Sequence, residues 1–262
     1  MRTFENRFEK IGFLFYMSSE KHSWFKTWFD TPYYHTLYCN RNNNEAEAFI
    51  ENIISYLQPD PGSKFWDLAC GKGRHSLTLS KYGYQVVGTD LSEQNIEYAS
   101  QFENDHLQFY KLDMRSPFRT NYFDYVFNLF TSFGYFEKKT DDIKVFTSVY
   151  NSLKPGGTFL FDYINGTKAI KNLVKREEKE INGIRFCITK EYIKGRVHKN
   201  IDIRDGEKEL HFSESVKLFT RDELMEYAKK VGFSCEKTFG NYQLDGFDEQ
   251  SSDRLILLFE KK

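Results

Sequence analysis

The period of apolar positions changes several times along the chain, and each change marks a different kind of element. Residues 1–43 keep no steady period; they are aromatic and polar and run into Arg41-Asn42-Asn43-Asn44. A helical stripe follows, with Phe49, Ile50, Ile53, Ile54 and Leu57 on one face. Asn44 is placed to cap that helix, Glu47 answers it from the third helical position, and Pro59, Pro61 and Gly62 end it.

Strand and helix signals then alternate. Residues 64–69 read as a strand, 75–83 as a helix closed by Gly83, 85–90 as a strand and 93–102 as a helix. Further strands are expected at 107–113, 122–130 and 158–163, with a helix at 141–153 stopped by Pro155-Gly156-Gly157. This alternation predicts an α/β fold, a parallel sheet with helices on both faces. The rhythm breaks after Tyr163. Extended runs at 183–193, 196–204 and 210–219 are joined by Lys194-Gly195 and Asp205-Gly206, which are hairpin signals and predict an inserted antiparallel β meander. A helix at 221–231 resumes the first pattern, with Thr220 and Glu223 as a capping box and Gly232 at its C-terminal end. Strands at 234–238 and 255–260 complete it. The division is therefore an N-terminal arm or lid (1–43), an α/β domain (44–164 and 219–262) and an inserted antiparallel β subdomain (165–218).

Composition narrows the class. With 37 basic and 38 acidic residues the chain has a net charge of -1, which gives no global attraction to nucleic acid or an acidic membrane. A local patch of Lys168, Lys171, Lys175 and Arg176 is more simply a solvated helix face. The 26 Phe and 17 Tyr predict an aromatic core. Cys39, Cys70, Cys187 and Cys235 have neither zinc-ligand nor disulfide-framework spacing, and no metal site is expected. No run approaches the roughly 20 apolar residues of a membrane span. These features, with no signal-peptide pattern at the start, lead us to expect a soluble, cytoplasmic protein.

The chemistry concentrates in Asp67-Leu68-Ala69-Cys70-Gly71-Lys72-Gly73-Arg74-His75-Ser76, where a strand hands over to a helix. Glycines there permit a tight turn and close approach of a ligand to the backbone. An acid at the strand end repels pyrophosphate but suits a cation, and Ser76 stands where a dinucleotide loop has its third glycine. S-adenosylmethionine carries an ammonium and a sulfonium and so fits this charge logic. Asp90, 17 residues beyond Gly73 at the tip of the second strand, can accept ribose hydroxyls, or can cap the helix that follows. Asp113 can accept an adenine amino hydrogen with Met114 packed on the ring; stabilising a turn is an equally good reading of Asp113.

DLACGKGRHS, VVGTDLS, KLDM, FDYVFNLFTSFGYF, LKPGG and TRDELMEYAKKVGF occur in the order found in class I, Rossmann-like S-adenosylmethionine-dependent methyltransferases, which the chain resembles over residues 45–162 and 219–262. The resemblance implies a seven-stranded sheet whose last strand is antiparallel, with the cofactor at the carboxyl ends of the first strands. It implies that Asp67, Gly71 and Gly73 line the methionine part, Asp90 the ribose, and Asp113 and Met114 the adenine, with Ala69 and Leu91 as further cofactor-binding residues. Asn128 would face both cofactor and acceptor. Asn128-Leu129-Phe130-Thr131 departs from the N/D-P-P-Y/F motif of nucleic-acid amino methyltransferases, which argues against DNA-base methylation. The segment 28–38 is similar to the entry region of small-molecule members. By that similarity Tyr34 and Tyr38 close over the transfer site and Arg41 holds the methionine carboxylate; docking the arm on the core is the competing role. His35 is a further candidate base, and His75 reads as a packing residue.

Methyl transfer from a sulfonium needs mainly placement and exclusion of water, and no catalytic triad is visible. The expected function is transfer from S-adenosyl-L-methionine, yielding S-adenosyl-L-homocysteine, to N or O of a small-molecule acceptor, with the meander as a lid or homodimer surface. A non-catalytic cofactor-binding module, a tRNA or rRNA methyltransferase and an NAD-dependent oxidoreductase are the alternatives.

Overall fold

The computed structural model describes residues 24–38 and 43–262. Arg41, Cys39 and the first part of the arm lie outside the described residues. Two short helices come first, α1 (Trp24–Trp28) and α2 (Pro32–Leu37), followed by α3 (Asn43–Leu57). Next come β1 (Lys64–Leu68), α4 (Arg74–Lys81), β2 (Gln85–Asp90), α5 (Glu93–Ser100), β3 (Leu107–Lys111), β4 (Phe123–Asn128), α6 (Lys139–Ser152) and β5 (Leu153–Ile164). After α7 (Gly166–Lys171), four strands run in succession: β6 (Arg176–Ile181), β7 (Ile184–Ile193), β8 (Arg196–Asp205) and β9 (Lys208–Lys217). Helix α8 (Arg221–Val231), β10 (Phe233–Phe239) and β11 (Arg254–Lys261) finish the chain.

The first sheet has seven strands in the order β10-β11-β5-β4-β1-β2-β3. Its β1, β2, β3, β4 and β5 pair in parallel, whereas β11 runs antiparallel to both β5 and β10. Alternation along each strand sends neighbours to opposite faces. Phe65 packs with Phe49, Ile50 and Ile53 of α3 on one side, while Trp66 joins Phe146, Phe159 and Phe161 on the other. The strand order changes direction between β1 and β4, and in parallel α/β sheets that switch point opens a crevice at the carboxyl ends.

The meander carries one strand more than the pattern predicts. Arg176–Ile181 (REEKEI) joins as β6 through the left-handed turn Asn182-Gly183 (φ 53° and 79°). Lys168 and Lys171 lie on α7, but Arg176 belongs to this strand, so the four basic residues do not share one helix face. The hydrophobic core runs through Phe219 into Phe186, Ile188, Ile201 and Ile203, and Trp24, Phe25 and Trp28 of the arm pack on the same cluster.

At α3 the expected boundary moves by two residues. The helix begins at Asn43, so Asn44 lies within its first turn and not at the cap, and Glu47 faces Lys81 at 3.5 Å. The α8 capping box is present as expected, with Gly232 at φ 104° after it.

Candidate functional site

A cavity of 1780 Å3 opens at the carboxyl ends of β1, β2 and β4, between the first sheet, the arm and the meander. Its floor is the turn after β1. Ala69 (φ 61°) and Gly71 (φ 57°) both adopt the left-handed region, and a Cβ added at Gly71 would meet nothing within 4 Å. Gly71 therefore leaves room above the loop. Gly73 (φ 78°) does something else: a Cβ there would sit 2.6 Å from the Phe109 ring, so this glycine lets α4 approach β3. Gly73 is not among the cavity-lining residues.

Asp67 lies at the end of β1, 1% exposed, and accepts a hydrogen bond from Ser76 Oγ at 2.6 Å. Burial lifts its carboxyl to about 6, against the opposing pull of the Ser76 hydrogen bonds. Asp90 accepts from the Gly71 amide (2.9 Å) and the Ser92 amide (2.9 Å), so it ties the loop after β1 to the start of α5. Desolvation raises its pKa too, opposed by these backbone donors. Leu91 lines the same wall.

Farther along, Asp113 is gripped by Arg115, whose Nε and Nη2 donate at 2.9 and 2.5 Å while its amide donates at 3.0 Å. Desolvation would push Asp113 upward, but the Arg115 bonds prevail and hold it below the usual carboxylate range. Both Asp113 and Met114 line the cavity. Asn128 is displaced from its expected place: it is 1% exposed, donates to the Leu68 carbonyl at 2.9 Å and is absent from the cavity wall. Its amide cross-links β4 to the end of β1, and the residues beyond it take the wall instead. Among these Phe130 (φ 57°) and Thr131 (φ 64°) are both left-handed, a conformation that costs non-glycine residues on the order of 1–3 kcal/mol each. Asp162, which is fully buried, holds them by accepting from the Phe130 amide at 2.8 Å and from Arg254 Nε at 2.7 Å; Arg254 also donates to Thr131 Oγ1 at 2.9 Å. No sequence motif announces Asp162, Thr131 and Arg254 as a group, because 92 residues separate Asp162 from Arg254.

Tyr34, His35 and Tyr38 all reach the cavity. The arm is docked around them: Tyr38 donates to Glu214 at 2.8 Å, Trp28 donates to the same carboxylate at 2.7 Å, and Tyr33 donates to Asp205 at 2.9 Å. On the opposite side Asp30 accepts from Ser92 Oγ at 2.5 Å. Burial, with Lys72 nearby, lowers His35 to about 4. It stays neutral at pH 7 but is too weakly basic to hold a proton taken from an amine. His75 is 4% exposed, its ring 5.0 Å from that of Phe130, and its Nε2 has no hydrogen-bond partner among the described residues. Among the described residues no group of three or more His, Cys, Asp or Glu could hold a metal ion, and no helix is long and apolar enough to cross a membrane.

The turn after β1, with Asp67 and Asp90 on adjacent strand ends, lies within residues 66–161, which match the family described as "Methyltransferase domain". The fold is shared with an S-adenosylmethionine-dependent methyltransferase from Clostridium acetobutylicum, at a TM-score of 0.74 and 20% identity over 87% of this chain and 95% of that one. The chain thus carries a methyltransferase domain over residues 66–161 and has the fold of an S-adenosylmethionine-dependent methyltransferase. The Bacillus subtilis protein named "Putative methyltransferase YqeM" is 38% identical over 109 residues, 40% of this chain and 43% of that protein. The match thus spans about half the length, or less, of the curated relatives. The amino pentose methyltransferase CalS10 of Micromonospora echinaspora, solved with S-adenosylmethionine bound, covers 88% of this chain and 98% of its own at 16% identity and a TM-score of 0.64.

The residues present fit that cofactor. Space opens above Gly71, and the buried Asp67 and half-buried Asp90 carboxylates, both with raised pKa values, face a cavity where a cationic, hydroxyl-bearing ligand would relieve their desolvation.

Proposed function

We propose that the chain is an S-adenosylmethionine-dependent methyltransferase that transfers the methyl group to N or O of a small-molecule acceptor, with residues 44–164 and 219–262 as the cofactor-binding unit. In this reading the arm and the 165–218 insert form the acceptor mouth. The observation that carries the proposal is the extent of the cavity. At 1780 Å3 it exceeds the roughly 300–1,000 Å3 of an ordinary ligand pocket and runs from the β1 turn to the meander, leaving space for a second molecule. The amino-sugar chemistry named for CalS10 supports an acceptor of this size.

In this reading Asp67, Ala69 and Gly71 hold the methionyl part, Asp90 and Leu91 the ribose, and Met114 the adenine. Asp113 orders the adenine-side turn with Arg115, and Gly73 and Asn128 support the site from behind. S-adenosylmethionine supplies a methyl carbon already activated by its sulfonium. The chain's own work is to align the acceptor lone pair at near-attack distance and keep water out. Tyr34, Tyr38 and Phe29 cover the cavity from the arm side, and the Phe130-Thr131 turn, fixed by Asp162, presents a rigid wall. An amine acceptor loses its proton to solvent without a strong base, consistent with the low basicity of His35.

The deciding experiment incubates the protein with isotopically labelled S-adenosylmethionine and fractionated metabolites, followed by mass spectrometry. Labelled small molecules support the proposal. Label found only in RNA, or cofactor binding without transfer to any fraction, would replace it with the RNA-modifying or the non-catalytic alternative.

A further inference from the structure

Asp90 is already well supplied with hydrogen-bond donors by the protein itself. Its Oδ2 accepts from the Gly71 amide at 2.9 Å, and its Oδ1 accepts from the Ser92 amide at 2.9 Å and from Asn95 Nδ2 at 3.5 Å. A carboxylate has about four acceptor sites, so these three bonds take most of its capacity. A ribose brings two hydroxyl donors, and one of them needs an acceptor beside Asp90.

Asn95, the third residue of α5, carries such an acceptor. It is 3% exposed, lines the main cavity, and its Oδ1 has no hydrogen-bond partner among the described residues. Buried polar atoms are nearly always hydrogen-bonded, so an orphan on a cavity wall points to a ligand. The amide is held from both ends. Its Nδ2 faces Asp90, because a flipped amide would set oxygen against the carboxylate. Its backbone N–H donates to Ser92 Oγ at 3.1 Å, and Ser92 in turn donates to Asp30 of the arm at 2.5 Å. Across the cavity stands His35, lowered by burial and Lys72 and raised by Asn95, yet no hydrogen bond joins it to Oδ1.

We propose that Asn95 is a further cofactor-binding residue, its Oδ1 accepting one ribose hydroxyl of the S-adenosyl ligand while Asp90 accepts the other. The inference rests on the cofactor reading of the cavity and divides the ribose between a carboxylate and an amide. The amide oxygen adds an acceptor without adding a second negative charge next to Asp90. Acceptors on both hydroxyls also select a free ribose diol over a phosphorylated one, since a phosphate oxygen has no hydrogen to donate.

The test compares S-adenosylhomocysteine with its 2′-deoxy and 3′-deoxy analogues by calorimetric titration of the full-length protein. The variants are Asn95→Leu and Asn95→Ala, with Glu97→Gln on the exposed side of α5 as the control. Asn95→Leu should bind S-adenosylhomocysteine about fivefold more weakly, because a neutral hydrogen bond is lost. That loss should shrink to about twofold for the one analogue that lacks the hydroxyl seated on Asn95, the remainder reflecting the bond to Asp90. Which analogue shows this identifies the hydroxyl. Glu97→Gln should match the unaltered protein with every ligand. Equal losses for all three ligands would make Asn95 a support for Asp90 only, and no loss for any would put the ribose away from α5; either result overturns the proposal. Should Asn95→Leu prove unfolded by its melting curve, Asn95→Ala carries the same comparison. Failure of the unaltered protein to bind S-adenosylhomocysteine would instead overturn the cofactor reading.

Discussion

Ser76 donates its hydroxyl to Asp67 at 2.6 Å, supporting a carboxylate that is only 1% exposed. It offsets burial only in part, since Asp67 still rises to about 6. The folded protein therefore favours the protonated acid. The stability this group contributes is full below the ordinary carboxyl range and is lost as pH rises through 6. Ligand binding follows the opposite sign, because a cationic methionyl group prefers the ionised form. S-adenosylhomocysteine affinity should fall about fivefold as pH drops from 6 to 5. Asp67→Asn should flatten that slope, leaving the smaller contribution of Asp90, which is shifted in the same direction. Calorimetric titration at several pH values checks this; a level profile in the unaltered protein would remove Asp67 from the binding site.

The two glycines of the β1 turn serve different ends. Alanine at Gly73 must adopt φ 78° and bring its Cβ within 2.6 Å of Phe109. Left-handed strain and overpacking together should lower unfolding stability by about 2–4 kcal/mol. At Gly71 an added methyl finds open space, so Gly71→Ala should cost only about 1–2 kcal/mol of strain while obstructing cofactor. Urea unfolding and S-adenosylhomocysteine titration on both variants resolve the two effects. Equal stability losses would show that the Phe109 contact does not matter.

Much of the fold is legible in the sequence because strand and helix periods are strong where one face is buried. Phe65 and Trp66, pointing to opposite sides of a sheet covered on both, need no tertiary information to be read as strand. The β6 strand is not legible, because REEKEI alternates no apolar residues and gains its order from pairing with β7. Within the site, the loop glycines and acids stand next to one another in sequence and can be read directly. The reason for Gly73 cannot, since its ring partner Phe109 belongs to β3, with α4, β2 and α5 between them. Asn128 misleads for a related reason: an amide at a strand end looks like a ligand until its own donor is found on the Leu68 carbonyl.

Asp90 joins two loops as well as facing the cavity, so its removal should be felt twice. Asp90→Ala leaves the Gly71 and Ser92 amides without their acceptor and deprives ribose hydroxyls of a charged one. Hydrogen bonds to charged groups contribute about 1.5–3 kcal/mol each, so cofactor affinity should fall about 10–100-fold. The folded state should persist, because the sheet pairings of β2 do not pass through this side chain. Calorimetry on the variant provides the check; unchanged affinity in folded protein would mean that the adenosine lies elsewhere.

Asp142, in the first turns of α6, offers a stability prediction independent of the cofactor. It is 2% exposed, its Oδ1 has no hydrogen-bond partner among the described residues, and burial raises its carboxyl to about 7 despite Lys217 and Arg196 nearby. The folded pKa lies above the unfolded one, so the native state holds this proton more tightly. Its contribution is complete below about pH 4 and disappears as pH climbs from there to 7, a loss on the order of 2–4 kcal/mol. Asp142→Asn keeps the shape and cannot ionise. The variant should match the unaltered protein near pH 4 and exceed it above pH 7, with the gap opening across that interval. Urea midpoints measured from pH 4 to 8 read the difference directly. A gap of constant size would mean that Asp142 ionises freely in the folded state, with its charge met by Lys217 or Arg196.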